Sequence, residues 1–211
     1  MLPQLLLSLV FAVDPGGITA ARPAAPITLF ARFDHGIPED VENQLHAELD
    51  SIMAPMGFRF EWRSIESVTG QESIVELAVL TFKGECDVSG LSNDRSDGGA
   101  LGWTHVSDGN ILPFSDVDCD RIRSFLQRDL LGLPQPMRAP AFGRGMARVL
   151  AHELYHIFAA TAHHAATGVA QEAFTVKELL APAFHFEGHA CELLRGSRAQ
   201  NLARPTDHGS Q

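Results

Sequence analysis

The run Arg144-Gly-Met-Ala-Arg-Val-Leu-Ala-His152-Glu153-Leu154-Tyr155-His156-Ile-Phe-Ala-Ala-Thr161 decides how this chain is read. Its apolar residues Met146, Val149, Leu150, Leu154, Ile157 and Phe158 recur at helical spacing, with no Pro or Gly after Gly145. The same run contains HExxH, from His152 to His156. On a helix, residues four apart stand one above the other, so both imidazoles aim at one point with Glu153 beside them. Neutral imidazole is a good zinc ligand, and a third protein ligand plus one open position completes a catalytic tetrahedron. Glu153 is then placed to take the proton of a metal-activated water. Short patterns arise by chance, and paired histidines are often solvated surface. An otherwise apolar helix argues against both, because a carboxylate and two imidazoles facing a core cost several kcal/mol unless something pairs with them. A divalent metal is that partner.

The third ligand sets the class. Metzincin peptidases carry HExxHxxGxxH, but here Ala159 stands at the Gly position and Ala162 at the last His. From Ala147 onward the chain more closely resembles an uncharacterised bacterial group of metzincin-like zinc metalloproteases (zincins). In that group a helical HExxH is followed by an apolar stretch, Thr-x-x-His, three residues, and Gly-Ile/Leu-Met. The matching residues are Thr161-Ala162-His163-His164-Ala165-Ala166-Thr167-Gly168-Val169-Ala170, with Ala170 where the group has the Met of its Met-turn. The amino-terminal half follows the same order of a strand, a helix ending near Met56-Gly57, and a strand containing Trp62.

The resemblance implies an α+β, zincin-like fold, with a mixed sheet packed on helices that include the HExxH helix. It implies Zn²⁺ held by His152, His156 and His164, with Glu153 as general base in peptide hydrolysis. It also implies that an edge strand near Leu101–Phe114 grips extended peptide by strand addition. His163 adjoins the implied ligand, and two consecutive residues leaving a helix point in different directions, so His163 stays open as the third ligand. Glutamate is the alternative third ligand. Glu178 closes a capping box with Thr175 and so has a structural explanation, while Glu172 and Glu187 lack helical ExxxE-type spacing. The oxyanion donor is open: the sole tyrosine, Tyr155, lies inside the motif, leaving His163, His185 or His105.

Two other readings compete with a zinc peptidase. One is an inactive binding or structural protein on a zincin scaffold, favoured by the missing Gly at 159 and the missing Met at 170. The other is a small-molecule zinc amidase, which a narrow enclosed pocket would favour over an open cleft. Glu153 speaks for an enzyme, since a site that only holds zinc gains nothing from an acid beside its water.

The chain has 211 residues and formal net charge −10, a size for one domain and a balance that disfavours nucleic acid and anionic membrane surfaces. Leu2–Val13 is long enough for the apolar region of an export signal and too short to span a bilayer. The expected division is a signal-like segment and linker over 1–26, a catalytic domain over 27–198 and a disordered tail over 199–211. Export, to periplasm or medium, is the expected localisation, with a peptide or protein as substrate. Three cysteines leave at least one unpaired; export would allow Cys86 to join Cys119, both in polar, loop-like stretches, with Cys191 a buried helix residue.

Periodicity supplies the rest. Strands are expected at Ile27–Phe33, Phe58–Trp62 and Ser73–Phe82, and a helix from Pro38 to Met56 that buries Val41, Leu45, Leu49, Ile52 and Met56. Leu101–Val106 and Ile111–Phe114 flank the turn Ser107-Asp-Gly-Asn110 as a hairpin. Pro113 places that hairpin at an edge, because it cannot donate to a ladder. A helix is expected over Asp118–Leu131. Leu91–Ala100, with Asn93, Asp94 and Asp97, reads as a solvated loop without calcium-ligand spacing.

Overall fold

The alternation of apolar residues in Ile27–Phe33 makes the first strand, β1, over those same residues. The computed structural model describes residues 26–71, 74–92 and 98–197. The expected export signal, the carboxy-terminal tail and Asn93, Asp94 and Asp97 lie outside the described residues. After β1 come α1 (Glu39–Met53), β2 (Phe60–Ser64), β3 (Leu77–Lys83), β4 (Gly102–Ser107), β5 (Asn110–Asp118), α2 (Cys119–Gly132), α3 (Gln135–Ala159), α4 (Val176–Leu180) and α5 (Gly188–Arg195).

The sheet runs β2-β1-β3-β5-β4, with β4 antiparallel to β5 and every other pair parallel. This is the expected α+β architecture with a mixed sheet packed on helices. Ile27, Leu29, Ala78, Leu80, Phe82 and Val117 turn one face of the sheet into a common core with Val41, Leu45, Leu49 and Ile52 of α1 and Leu150 and Leu154 of α3. α1 stops where Pro55 enters a final tight turn and Gly57 reverses the chain at φ 90°. Phe58 then stacks on Phe158 of α3, ring centroids 5.1 Å apart, before β2 begins two residues later than expected.

Three expectations need correction. The HExxH helix begins at Gln135, nine residues before the run that identifies it. Pro136 sits in its first turn, where the missing N–H has no intrahelical partner to lose. Gly143 and Gly145 lie inside it as close-approach points. A Cβ on Gly143 would lie 2.5 Å from the Val41 carbonyl oxygen, and one on Gly145 2.6 Å from Leu126 Cδ1. They let α3 cross α1 and α2.

The hairpin forms around Asp108 and Gly109, both at positive φ, but of its two strands only β4 lies at an edge of the sheet. Pro113 lies in β5, between the pairs Thr104↔Ser115 and Val106↔Ile111, where the register shifts. Its missing N–H is therefore absorbed by a bulge and not by an edge. Finally, Cys86 and Cys119 form a disulfide with Cα atoms 4.9 Å apart, but both are buried, and Cys119 opens α2 under the Asp118 cap. Cys191, expected to be buried, is only half-buried, and its thiol donates to the Phe186 carbonyl.

Candidate metal centre

His152, Glu153 and His156 all lie in the buried stretch of α3. The helix ends at Ala160, which adopts the left-handed conformation at φ 48° and reverses the chain. The metzincin pattern puts a glycine at 159; here the reversal falls one residue later and is made by alanine. The returning strand of chain brings His164 over the helix. Its ring lies 5.2 Å from that of His152 and 4.9 Å from that of His156, centroid to centroid. One ligand atom from each of the three imidazoles lies within 4.8 Å of the others. His163 does not join them. It is exposed, and with His164 it borders a further hollow lined by Tyr155, Ala165 and Leu193.

Backbone carbonyls set the tautomers. His152 Nδ1 donates to the Val169 carbonyl at 2.9 Å, and His156 Nδ1 donates to the Thr161 carbonyl at 2.7 Å. With both Nδ1 protonated, both Nε2 atoms carry lone pairs, and they face each other at 3.0 Å. Two acceptors at that distance repel unless a proton or a cation lies between them. Burial pushes His152 down to about 4, against the Val169 bond, with the charges of His156 and His164 lowering it further. Burial likewise lowers His156, so both rings are neutral at pH 7. Two neutral nitrogens without a proton to share, with the His164 ring beside them, suit a divalent metal of zinc's preference, which takes imidazole at about 2.0–2.1 Å and leaves a fourth position open.

The segment beneath the histidines is Gly168-Val169-Ala170, all buried. Ala170 accepts from the Ala165 N–H, and Val169 donates to the His185 carbonyl, so this turn is held on both sides. Gly168, at φ 74°, is needed there: a Cβ would meet the His185 oxygen at 2.5 Å.

Glu153 is 5 % exposed, and burial raises its carboxyl to about 7, with the Thr104 hydroxyl opposing. It lines two hollows that flank the histidines. One, of about 310 Å³, also takes in Thr104, Val106, His156 and His164; the other, of about 360 Å³, runs to Leu101, Phe125, Val149 and Phe174. Both are open, and the β4 edge forms their upper wall.

None of the alternative ligands reaches the cluster. Glu178 completes its capping box with Thr175, Glu187 accepts from the Thr167 hydroxyl, and Glu172 stands exposed at the rim of both hollows. His105, weighed as an oxyanion donor, projects from the opposite face of β4, where its Nε2 is 2.9 Å from Asp116 Oδ2. His185 is exposed and contributes its carbonyl to Val169.

Sequence reasoning missed several residues that shape this site. Thr104 donates to Glu153 Oε2 at 2.8 Å, and Phe174 sets its ring edge-on to His152. Arg148, completely buried one turn before His152, gives both Nε and Nη2 to Glu48 Oε1 and Nη1 to the Glu178 carbonyl, so that α1 and α4 are tied to the active helix. An arginine four residues before a motif histidine, inside an apolar run, was a signal for the last of these. For Thr104 and Phe174 there was none.

No family model and no curated protein sequence matches this chain. The fold does match a solved structure, that of a zinc-dependent peptidase from Methanocorpusculum labreanum (strain Z). The TM-score is 0.51 at 14 % identity, and the alignment covers 80 % of this chain and 99 % of that one. At such identity the likeness is one of fold: this chain has an α+β architecture similar to that of a zinc-dependent peptidase, and three of its histidines converge as a metal site would require.

Proposed function

We propose that this protein is a zinc metallopeptidase of metzincin-like type, in which His152, His156 and His164 hold Zn²⁺ and Glu153 is the general base. The observation that carries the reading is the pair of Nδ1–carbonyl bonds, which leave unprotonated Nε2 atoms converging beside a buried carboxyl group. Bound zinc supplies Lewis-acid polarisation of a carbonyl and acidifies a water toward neutrality. The carbonyls of Val169 and Thr161 keep the His152 and His156 rings aimed as ligands. Glu153 serves both directions: its carboxylate takes a proton and its acid form returns one to the leaving amine. The open hollows below the β4 edge suit an extended peptide better than a small amide held in an enclosed pocket. Export is part of the proposal, and the Cys86–Cys119 disulfide supports an oxidising compartment. Among the described residues no helix is long and apolar enough to cross a membrane.

The test is metal analysis combined with digestion of a random peptide library by the zinc-loaded protein and by Glu153→Gln. One zinc per chain is expected in both. Hydrolysis should fall by about 10²–10⁴ in the variant, because an amide keeps the shape and cannot accept a proton. Equal activity in the two proteins would refute the mechanism.

A further inference from the structure

Glu153 is held by the strand across from it. Gly102 and Thr104 project from β4 on the same face, two residues apart, and bracket the Glu153 side chain. A Cβ on Gly102 would come within 3.1 Å of Glu153 Cγ and 3.0 Å of Val149 Cγ1, so glycine is what lets the strand settle onto the stem of the acid. Beyond the stem, the Thr104 hydroxyl lies 2.8 Å from Glu153 Oε2 and 3.1 Å from the Glu153 carbonyl oxygen. A hydroxyl has one proton, and the closer, more basic carboxylate is the better acceptor.

β4 is an edge strand, and such strands shift easily when one side is unpaired. Here it is fixed from the opposite face. Asp116 of β5, nearly buried, receives Lys83 Nζ of β3 at 3.0 Å and pairs with His105 of β4 at 2.9 Å, while Lys83 lies over the Trp103 ring. This clip spans three strands at the level of Thr104, immediately before the bulge at which the register shifts. Thr104 therefore sits between two anchored residues of the edge, Trp103 and His105.

Resting on the peptidase reading above, we infer that Thr104 is a positioning residue: its hydroxyl holds one oxygen of Glu153, leaving the other as the atom that moves the proton. The strand that would pair with substrate backbone thus also aims the base, so that substrate register and base position share one rigid element.

The experiment compares Thr104→Val, isosteric without the hydroxyl, with Thr104→Ser, which restores it, in the full chain loaded with zinc. The substrate is the single peptide cleaved fastest by the wild type. The Val variant should lose about 10–100-fold in kcat with KM within about twofold, as expected when an orienting partner is removed. The Ser variant should recover to within about threefold, and zinc retention against a chelator should be the same in all three. Crystals of the Val variant should show Glu153 in more than one rotamer, and those of the Ser variant in one. Wild-type kcat in Thr104→Val, or a single unchanged Glu153 rotamer in its crystals, would overturn the inference. Failure of the underlying reading looks different: Glu153→Gln would cleave as fast as wild type, or zinc-loaded wild type would cleave nothing. In that event the Glu153 rotamers in the Val and Ser crystals still decide whether Thr104 holds the acid.

Discussion

One turn of α3 separates Arg148 from His152, and the two mark opposite ways of burying a polar group. Arg148 is fully enclosed, and the fold provides its partners: the carboxylate of Glu48 and the carbonyl of Glu178, with the Phe184 ring beside the guanidinium. His152 is almost as buried, but the fold satisfies only its Nδ1 and points its Nε2 at another acceptor. The first arrangement is complete within the chain. The second turns lone pairs on two imidazoles toward each other. Completed polarity is structural, and polarity left incomplete after such careful orientation marks a site for something outside the chain.

The largest effect expected from breaking this contrast is at Glu48. Glu48→Ala leaves the Arg148 charge buried and unpaired and should cost about 3–5 kcal/mol, read as a lower denaturation midpoint. The double variant Glu48→Leu/Arg148→Met should recover most of that loss, because an internally paired ion pair can be replaced by apolar packing. If the double variant is no more stable than Glu48→Ala, the pair does more than fill space.

At the histidines no apolar replacement should work. His164→Ala is expected to weaken zinc binding more than about 100-fold, beyond what loss of an outer partner costs, while His163→Ala changes it less than about threefold. Chelator competition measures both. The opposite ranking would move the ligand by one residue.

A smaller effect separates Glu153 from His152 in the metal-free protein. Burial raises the Glu153 carboxyl from 4.5 to about 7, so between those values the folded chain keeps a proton that the unfolded chain has released. Its contribution to stability is lost as pH rises. His152 is lowered from 6.5 to about 4, so in that window the unfolded chain binds the extra proton, and stability is lost as pH falls. The two slopes oppose each other between pH 4.5 and 6.5. Glu153→Gln removes one of them, so the chelator-treated variant should lose roughly 3 kcal/mol more than wild type on going from pH 7 to pH 4. Urea midpoints across this range test it, and parallel profiles would show that the two groups do not titrate as their burial implies.

The smallest expected change is a gain. Ala160 holds a left-handed conformation that costs a side-chain-bearing residue, so Ala160→Gly should stabilise by about 0.5–1 kcal/mol without altering zinc retention. A loss would mean that the Ala160 methyl makes compensating contacts.

Much of this molecule is local and therefore readable along the chain. The alternation in Ile27–Phe33, the helical face from Val41 to Ile52, the Asp108-Gly109 turn and the Thr175–Glu178 capping box each depend on residues a few positions apart. The HExxH pair is local as well, because one helical turn sets its geometry. Other features are decided between elements. Gly143 and Gly145 are explained by α1 and α2 packed against them, and Pro113 by a bulge in a strand that pairs on both sides. Whether His163 or His164 turns inward depends on where the chain reverses after α3, which is settled by Ala160 and the hydrogen bond from the Thr161 N–H to the His156 carbonyl. The hold of Thr104 on Glu153 spans 49 residues and exists only because a five-stranded sheet places its edge over α3. The sequence by itself determined which helix carries two imidazoles and an acid on one face, since that follows from 3.6 residues per turn. Tertiary structure alone decided the third imidazole, the carbonyls that orient the first two and the hydroxyl that holds the acid, since each is a contact between segments whose separation along the chain says nothing of their distance in space.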